Sequence, residues 1–509
     1  MKIKNIKILL IYPKTGFSGN FTKHPPLSLL YASSELVKNG FDVEIFDIRL
    51  CVNSWEGELK KRLTKDISIV GISVMSGKPI LNAMEIGRFV KGYNPEIEVV
   101  WGGPHATFYP ESILSNDWYC DYVISGYGNK AFYELVLCLI ENAIPDKVDG
   151  ISYRKDGGII TNTYEKSFEF IDYKDIPYHL IKDYSVYGQL EYNQRIFSMF
   201  SVMGCPYNCA FCSSPAFYRD FGKKWVTISI NQIVDHIEFL INNYNADYIY
   251  FIDDDSFVNL SHVEGIIDEI NRRRLMIKLG FRGARINEIK KMSDEFINKL
   301  ALAGTDILHV GAESGSNKML NLFNKNFTVD DIIESNIKLA RHPEIKAAYN
   351  FIIGIPSETM VDLNDTRKLI LRLVKDNPTC IIFIPNTFRP LPNTELFELA
   401  VKFGYQYPSN MREWINIEAE GEFNPPWVGK KERMLSKLLI IGSYFIDEKI
   451  KRIITGETFF YKIIKLLDTL YGPIIRFRYR YGIYQGLIEF YFYQYCIDKM
   501  AKTGKISKD

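Results

Sequence analysis

Short apolar runs and amphipathic stretches alternate along residues 1–145. The apolar runs have the length of buried β-strands, and the stretches between them have the spacing of amphipathic helices. The apolar runs are IKILLIY, FDVEIFD, ISIVGIS, IEVVWGG and YVISGYG. Alternation of this kind predicts a parallel sheet with right-handed crossovers and helices on both faces. We therefore predict an α/β, doubly wound parallel-sheet domain in residues 1–145.

The same alternation returns in residues 196–395, where six strand–helix units predict a partial (β/α)6 barrel. Between the two domains, residues 146–195 read as a linker that begins with a hairpin turning at Asp156. Residues 396–509 predict a helical, aromatic-rich region that packs on the barrel and closes its substrate side. We expect its helices to break at Pro473, because proline cannot continue the hydrogen-bond ladder of a helix.

Composition narrows the class of protein. The hydrophobic fraction of 47% and the charged fraction of 24% are typical of folded globular chains. A net charge of +1 gives no reason to expect nucleic-acid binding. No apolar run reaches the roughly 18 residues that span a bilayer, so we do not expect membrane contact. Eight cysteines without pairing spacing, and no leader pattern, favour a cytoplasmic protein.

The motif GCPYNCAFC follows the apolar run RIFSMFSVMG, which predicts the first barrel strand. Its thiols, Cys205, Cys209 and Cys212, could ligate three corners of a four-iron, four-sulfur cluster and leave one iron open. A structural zinc site prefers four ligands, and a disulfide would leave one thiol unpaired. The barrel topology also places this loop at the carboxyl end of a strand, where such barrels have their active sites.

This loop resembles the cluster-binding loop of the radical S-adenosylmethionine (radical SAM) enzymes. The resemblance implies that SAM chelates the open iron and that Phe211 lies over its adenine. The strand end FIIGIP resembles the family's strand beside the adenine and places Gly354 there. FRPLPNTEL resembles the last-strand loop of the family, but Asn393 replaces a glycine.

Three other strand ends match positions that contact SAM in the family. Asp254, within three consecutive aspartates, would lie near the methionine part of SAM or the substrate; the alternatives are a charged loop or a divalent metal site. Arg285 would pair with the SAM carboxylate, and its alternative is a salt bridge that caps a helix. Glu313, between small residues, would contact the ribose or the amino group of SAM.

The N-terminal domain resembles the cobalamin-binding domain that precedes many radical SAM enzymes. GGPHAT and the HPPL helix start carry this likeness, and no GxGxxG dinucleotide motif follows the first strand. The DxHxxG loop that supplies a cobalt-ligating histidine is absent. The resemblance implies that Ser76, Gly103 and Gly126 line the corrin and that His105 makes only indirect contacts.

Together the two likenesses imply an enzyme that generates a 5′-deoxyadenosyl radical and methylates a poorly nucleophilic carbon. Its cofactors would be the four-iron, four-sulfur cluster, SAM and cobalamin. Its partners would be a small-molecule or peptide substrate and an electron donor such as flavodoxin or ferredoxin. Two alternatives stay open: cyclisation, rearrangement or oxidation without methyl transfer, and a non-catalytic iron–sulfur or cobalamin sensor. A methylthiotransferase needs three further cluster cysteines, and Cys51, Cys120 and Cys138 are in no fitting loop.

Overall fold

The computed structural model of the chain describes residues 6–14, 22–51, 54–189, 195–417, 425–447 and 459–491. The chain divides into two compact units. Of the described residues, those up to 188 and 407–417 belong to the first unit, and those in 189–406, 425–447 and 459–491 belong to the second. The aromatic segment after Tyr491 lies outside the described residues.

A seven-stranded sheet forms the centre of the first unit. Side by side, its strands are β3 (Asp42–Asp47), β1 (Lys7–Tyr12), β4 (Ile67–Ser73), β5 (Glu98–Gly102), β6 (Tyr122–Ile124), β7 (Ile151–Lys155) and β8 (Gly158–Thr161). The first five are parallel, and their order is that of a doubly wound sheet with its switch point between β1 and β4. The predicted domain fold is therefore confirmed. The predicted hairpin is β7 and β8, which extend the sheet in antiparallel fashion.

Helices accompany this sheet because the strands are apolar on both faces. They are α1 (Leu27–Lys38), α2 (Trp55–Arg62), α3 (Lys78–Tyr93), α4 (Pro104–Phe108), α5 (Pro110–Asn116) and α6 (Gly128–Ile140). Ile8, Leu10 and Ile69 are almost fully buried in this core. A Cβ on Gly71 would lie 2.7 Å from Leu10 Cδ2, so the sheet is packed closely around that glycine.

The second unit contains the half-barrel. Side by side, its parallel strands are β10 (Ile196–Met199), β13 (Tyr248–Phe251), β14 (Lys278–Ala284), β15 (Thr305–Glu313), β16 (Lys346–Ile353) and β17 (Ile381–Ile382), with β18 (Asn386–Thr387) beside the end of β16. The predicted six-stranded partial barrel is confirmed. The two-residue strands β2 (Thr22–Lys23) and β9 (Gly188–Gln189) belong to neither large sheet.

Helices of the second unit follow its strands and continue into the C-terminal region. They are α7 (Ser214–Phe217), α8 (Ile230–Tyr244), α9 (Leu260–Arg272), α10 (Ile286–Lys291), α11 (Asp294–Leu302), α12 (Asn317–Leu322), α13 (Val329–Leu339), α14 (Met360–Asp376), α15 (Glu395–Lys402), α16 (Lys430–Gly442) and α17 (Phe459–Tyr481). Helix α11 begins as predicted at Ser293, whose hydroxyl accepts from the Phe296 N–H at 3.1 Å.

The first barrel strand differs from its prediction. RIFSMFSVMG forms two strands, β10 and β11 (Val202–Gly204), and β11 pairs with β12 (Trp225–Thr227) in antiparallel fashion. The chain leaves the main sheet at Ser201, whose N–H donates to Asp253 Oδ1 at 2.8 Å. An apolar pattern cannot show this break, because the break depends on the Asp253 carboxylate, which follows the next strand of the sheet, β13.

The predicted helix break at Pro473 is wrong, since α17 continues through it. A proline inside a helix costs about 3 kcal/mol, and tertiary packing offsets it here. Ile475 and Tyr479 are fully buried, and Arg367 of α14 donates to the Tyr479 carbonyl at 2.7 Å. This helix packs on α14, while its opposite side, including Phe477, is exposed.

No described helix combines the length and the apolar character that crossing a bilayer requires.

Candidate functional site

The three-cysteine loop begins immediately after β11, with Cys205 as its first residue. Backbone hydrogen bonds fix the loop to neighbouring elements: the Ala210 N–H donates to the Phe323 carbonyl at 3.2 Å, and the Ala210 carbonyl accepts from the Leu396 N–H at 3.0 Å. The Cys212 N–H donates to the Cys209 carbonyl at 3.1 Å, which turns the chain between these two cysteines. These hydrogen bonds therefore fix the loop in place at the carboxyl edge of the half-barrel.

Cys209 lies beside the cationic side chain of Arg285. Arg285 Nη1 donates to Cys209 Sγ at 3.0 Å, and Arg285 Nη2 donates to the Lys325 carbonyl at 3.1 Å. Burial lowers the pKa of Arg285, but Cys209, Glu288 and Asp255 together outweigh this effect, and the net pKa is raised. The guanidinium also lies 3.8 Å from the centre of the Tyr207 ring. Positive charge at this position would favour a negatively charged cluster held by Cys209.

The other two cysteines are half-buried, and the loss of hydration around their thiols raises the pKa of Cys205 and of Cys212 above the ordinary thiol value. Asp254 and Asp255 add to this effect at Cys205. A thiolate there requires a positive partner, which iron supplies when it binds, with release of the thiol protons. The donor set is therefore suited to a metal cluster rather than to a free nucleophile.

The three consecutive aspartates differ in their burial and in their contacts. Asp253 is fully buried and accepts from the N–H groups of Ser201 and Val202, so it is a structural residue. The Asp254 side chain reaches solvent. Protein atoms packed around its carboxyl still raise its pKa by desolvation, while Arg282 acts in the opposite direction. Asp255 is buried, and its pKa is raised by burial first and then by Glu288. Among these three, only Asp254 is exposed to solvent.

Glu313 ends β15 in a strained conformation, with a φ of 62°, which is unusual for a non-glycine residue. Its Oε1 lies 2.8 Å from Lys325 Nζ, and both side chains are buried. Lys325 Nζ lies 5.1 Å from the centre of the Phe211 ring. The structure thus brings together four of the predicted residues, Cys209, Phe211, Arg285 and Glu313, around Lys325.

Gly354 lies at the end of β16 with a φ of 75°. Its N–H donates to Glu358 Oε2 at 2.6 Å, and its carbonyl accepts from Trp427 Nε1 at 2.8 Å. The next residue, Ile355, packs in the same apolar cluster as Ala210 of the cysteine loop. Burial raises the pKa of Glu358 to about 8, so this carboxyl is neutral at pH 7.

The predicted cobalamin contacts lie at strand ends of the first unit and are linked by hydrogen bonds. Ser76 Oγ lies 3.0 Å from His105 Nδ1. The Thr107 hydroxyl donates to the Gly103 carbonyl at 3.0 Å and accepts from the Gly126 N–H at 3.1 Å. These residues follow β4, β5 and β6, so they share the carboxyl edge of the sheet. Their glycines are packed by protein: a Cβ on Gly126 would lie 2.8 Å from the Tyr164 ring.

His105 is nearly fully buried, and burial lowers its pKa to about 4, so it is neutral at pH 7. The centre of the Trp414 ring lies 5.9 Å from the His105 ring and 4.6 Å from the Tyr109 ring. Trp414 comes from residues 407–417, which belong to the first unit although they are far from it in sequence. With Nδ1 engaged by Ser76, this histidine is held in place by its own unit.

Family models match both parts of the chain. The model of the B12 binding domain matches residues 21–136, and the model of the radical SAM superfamily matches residues 199–370. The chain is a radical SAM protein with a B12-binding domain. The predicted family is therefore confirmed, and the predicted cofactors, namely the cluster, SAM and cobalamin, are those of these two domains.

Curated relatives of this radical SAM protein have several names. An uncharacterized methyltransferase of Pyrococcus horikoshii is 29% identical over 423 residues, which cover 82% of this chain and 88% of the relative. The anaerobic magnesium-protoporphyrin IX monomethyl ester cyclase of Rubrivivax gelatinosus is 24% identical over 397 residues, covering 76% and 69%. The relatives thus include both a methyltransferase and a cyclase.

Solved structures share the fold. The radical SAM methyltransferase TsrM of Kitasatospora setae, with cobalamin and a four-iron, four-sulfur cluster bound, aligns with a TM-score of 0.63 at 19% identity and covers 79% of each chain. The cobalamin-dependent radical SAM enzyme OxsB, with aqua-cobalamin bound, aligns with a TM-score of 0.68 at 19% identity over 98% of this chain and 76% of its own.

Buried polar atoms without protein partners test whether these cofactors fit. Beside the cysteine loop, Asp255 Oδ2 and Arg285 Nε are buried with no hydrogen-bond partner among the described residues. Ser125 Oγ, directly after β6, is likewise buried without a partner. Both carboxyl edges therefore offer polar groups to a ligand. Within the described ranges, no three His, Cys, Asp or Glu side chains lie close enough to share one metal ion.

Three residues near these sites were not predicted from the sequence. Lys325 lies on a loop without a motif, and its pairing with Glu313 depends on the tertiary fold. Trp414 is in a stretch without periodicity, so nothing indicated that it belongs to the first unit. Ser125 precedes the predicted Gly126, and the strand-end argument that selected Gly126 could have found it.

Proposed function

We propose that this radical SAM protein transfers a methyl group to a poorly nucleophilic carbon of a small-molecule or peptide substrate. The observation that carries the proposal is a cluster loop with Cys209 held by Arg285 at 3.0 Å, in a chain that also has a B12-binding domain. The names of relatives support methyl transfer, since one is a methyltransferase and TsrM is another. An electron donor such as flavodoxin or ferredoxin, and a cytoplasmic setting, belong to the same proposal.

When bound, the cluster, SAM and cobalamin would supply radical generation and methyl transfer. Cys205, Cys209 and Cys212 would hold the cluster. Asp254, which follows β13, and Glu313, which ends β15, would orient SAM from the carboxyl edge of the half-barrel. Phe211 would present an apolar face to the adenine, and its ring is fixed edge-on against Phe323 at 5.3 Å between centres.

One face of the half-barrel is suited to a substrate. Along β14 and β15, Phe281 and Leu308 face the helices and are fully buried. The alternate residues Arg282 and His309 face the other way and are exposed or half-buried. Tyr250 OH lies 3.2 Å from His309 Nε2, and burial raises the tyrosine pKa to about 12, so its hydroxyl keeps its proton. We assign substrate contact to this half-open polar face.

The test uses anaerobically reconstituted enzyme with methyl-deuterated SAM, hydroxocobalamin, a chemical reductant and candidate substrates. We expect both 5′-deoxyadenosine and S-adenosylhomocysteine, together with a deuterated methyl group in the product. The triple variant of Cys205, Cys209 and Cys212 to alanine should lose the cluster absorbance and both products. Cys138→Ala is the matched control, because this half-buried cysteine belongs to α6 of the other unit.

The cyclase relative gives a second candidate function, a radical cyclisation without methyl transfer. Production of 5′-deoxyadenosine without S-adenosylhomocysteine would favour it over methylation. Cluster and cobalamin binding without either product, across the substrates tested, would favour a sensor.

A further inference from the structure

The ion pair between Lys325 and Glu313 is unusually deep. Lys325 is 4% exposed and Glu313 is 6% exposed, and Nζ and Oε1 are 2.8 Å apart. Removing two charges from water costs free energy that their mutual attraction often fails to recover, so a buried pair of this kind adds little to stability. A role in the site explains its presence better than a role in folding.

The backbone around the pair is shaped to hold it. Glu313 has a φ of 62°, and the residues on either side of Lys325, Asn324 and Asn326, have φ values of 57° and 56°. Left-handed conformations of non-glycine residues persist where the surrounding structure enforces them, and they concentrate at functional sites. A Cβ on Gly311 would lie 2.4 Å from Glu313 Oε1 and 3.3 Å from Lys325 Nζ, so only glycine leaves room.

The pair faces the cysteine loop. Phe211, two residues after Cys209 in that loop, has its ring centre 5.1 Å from Lys325 Nζ, and Cys209 and Lys325 share a further neighbour. Arg285 joins the two, since its guanidinium donates both to Cys209 Sγ and to the Lys325 carbonyl. Lys325 forms its ion pair with Glu313 in a buried position, where charges act in a medium of low dielectric constant.

We propose that Lys325 and Glu313 set the reduction potential of the cluster, with Lys325 as a positioning residue rather than a catalytic one. This inference rests on the proposed function, because it requires a cluster on Cys209. Reduction adds one electron from an external reductant, and no bond forms or breaks. The added negative charge is stabilised by a nearby buried cation and destabilised by a nearby buried anion.

The two members of the pair must therefore shift the potential in opposite directions. We expect Lys325→Met to make the cluster harder to reduce and Glu313→Gln to make it easier to reduce. Each shift should amount to at least a tenfold change in the reduction equilibrium, which is about 59 mV for a one-electron couple. The double variant should lie between the two single variants.

The measurement is a potentiometric titration of the reconstituted full-length protein, read by electron paramagnetic resonance, without SAM, cobalamin or substrate. Lys346→Met is the matched control. Lys346 begins β16 and pairs with Asp306 at the amino end of β15 at 3.0 Å, whereas Lys325 pairs at the carboxyl end of the same strand. The control should keep the wild-type potential, and so should Lys325→Arg.

A merely structural role would not shift the reduction potential in opposite directions in the two single variants. Shifts of the same sign in the two single variants, or shifts no larger than that of the Lys346 control, would overturn the inference. If Lys325→Met does not fold, Glu313→Gln alone decides the sign, because it removes no buried cation. A wild-type protein that binds no cluster would instead overturn the proposed function, and with it the inference.

Discussion

Asp253 ties the cysteine loop to the half-barrel, and its replacement by alanine or asparagine separates its two contributions. Its Oδ1 accepts from the N–H groups of Ser201 at 2.8 Å and Val202 at 3.2 Å. Its Oδ2 accepts from the hydroxyls of Ser201 and Ser256, the latter at 2.8 Å. Alanine removes all of these acceptors. Asparagine keeps an oxygen for the two amides and offers an NH2 group to hydroxyls that can rotate to accept.

The magnitudes follow from these contacts. Each buried N–H without an acceptor costs about 1–3 kcal/mol, so Asp253→Ala should be about 2–6 kcal/mol less stable than Asp253→Asn. Burial raises the pKa of Asp253 to about 6, despite hydrogen bonds that lower it. The unfolded value is about 4, and two pKa units correspond to about 3 kcal/mol.

The sign of the pH dependence follows from proton binding. Between about pH 4 and pH 6 the folded state keeps a proton that the unfolded state has lost, so stability falls as pH rises through this window. Asparagine carries no charge and escapes this loss. We expect Asp253→Asn to match the wild type at pH 4 and to exceed its stability by about 3 kcal/mol at pH 7.

The assay is urea unfolding of the apoprotein by circular dichroism from pH 4 to pH 7.5, for the wild type and both variants. Taking the difference between the wild type and Asp253→Asn removes the contributions of the other titrating groups. A difference that stays constant with pH would refute the charge argument. Equal stability of the alanine and asparagine variants would refute the hydrogen-bond argument.

Three further predictions test other parts of the molecule. Gly311→Ala should displace the Glu313 side chain, because the new Cβ would lie 2.4 Å from Glu313 Oε1. We expect the free energy of unfolding to fall by about 1–3 kcal/mol and SAM binding, measured by calorimetry, to weaken. Burial lowers the pKa of His105 to about 4, so the free energy of unfolding of the first unit should fall by about 3 kcal/mol as pH falls from 6.5 to 4. In His105→Gln, the free energy of unfolding measured in urea should change less over that pH range. Arg367→Ala removes a 2.7 Å hydrogen bond to the Tyr479 carbonyl, and faster amide exchange confined to α17 is expected; unchanged exchange there would contradict this anchoring role.

Local pattern was enough to predict most elements. Alternation of apolar and amphipathic segments predicted both parallel sheets, since strand and helix periods are properties of neighbouring residues. The cap at Ser293 and the hairpin turning at Asp156 also follow from local chemistry, because hydroxyl capping and a left-handed φ, here 50°, involve only adjacent residues. Spacing placed Cys205, Cys209 and Cys212 on one loop for the same reason.

Features that depend on residues far apart in sequence were missed or wrong. Helix α17 passes through Pro473 because packing outweighs the local cost of proline. Strand β10 ends early because Asp253, in the loop after the neighbouring strand β13, accepts a hydrogen bond from the Ser201 N–H.

The sequence by itself determined the order of elements, the two domain folds and the cluster loop, because these depend on periodicity and on short spacing. Only the tertiary structure decided that Lys325 pairs with Glu313 beside Cys209 and that Trp414 packs against His105. Such pairings join residues from distant parts of the chain. Their free energy depends on burial and on the direction of side chains in the folded state, which no local pattern carries.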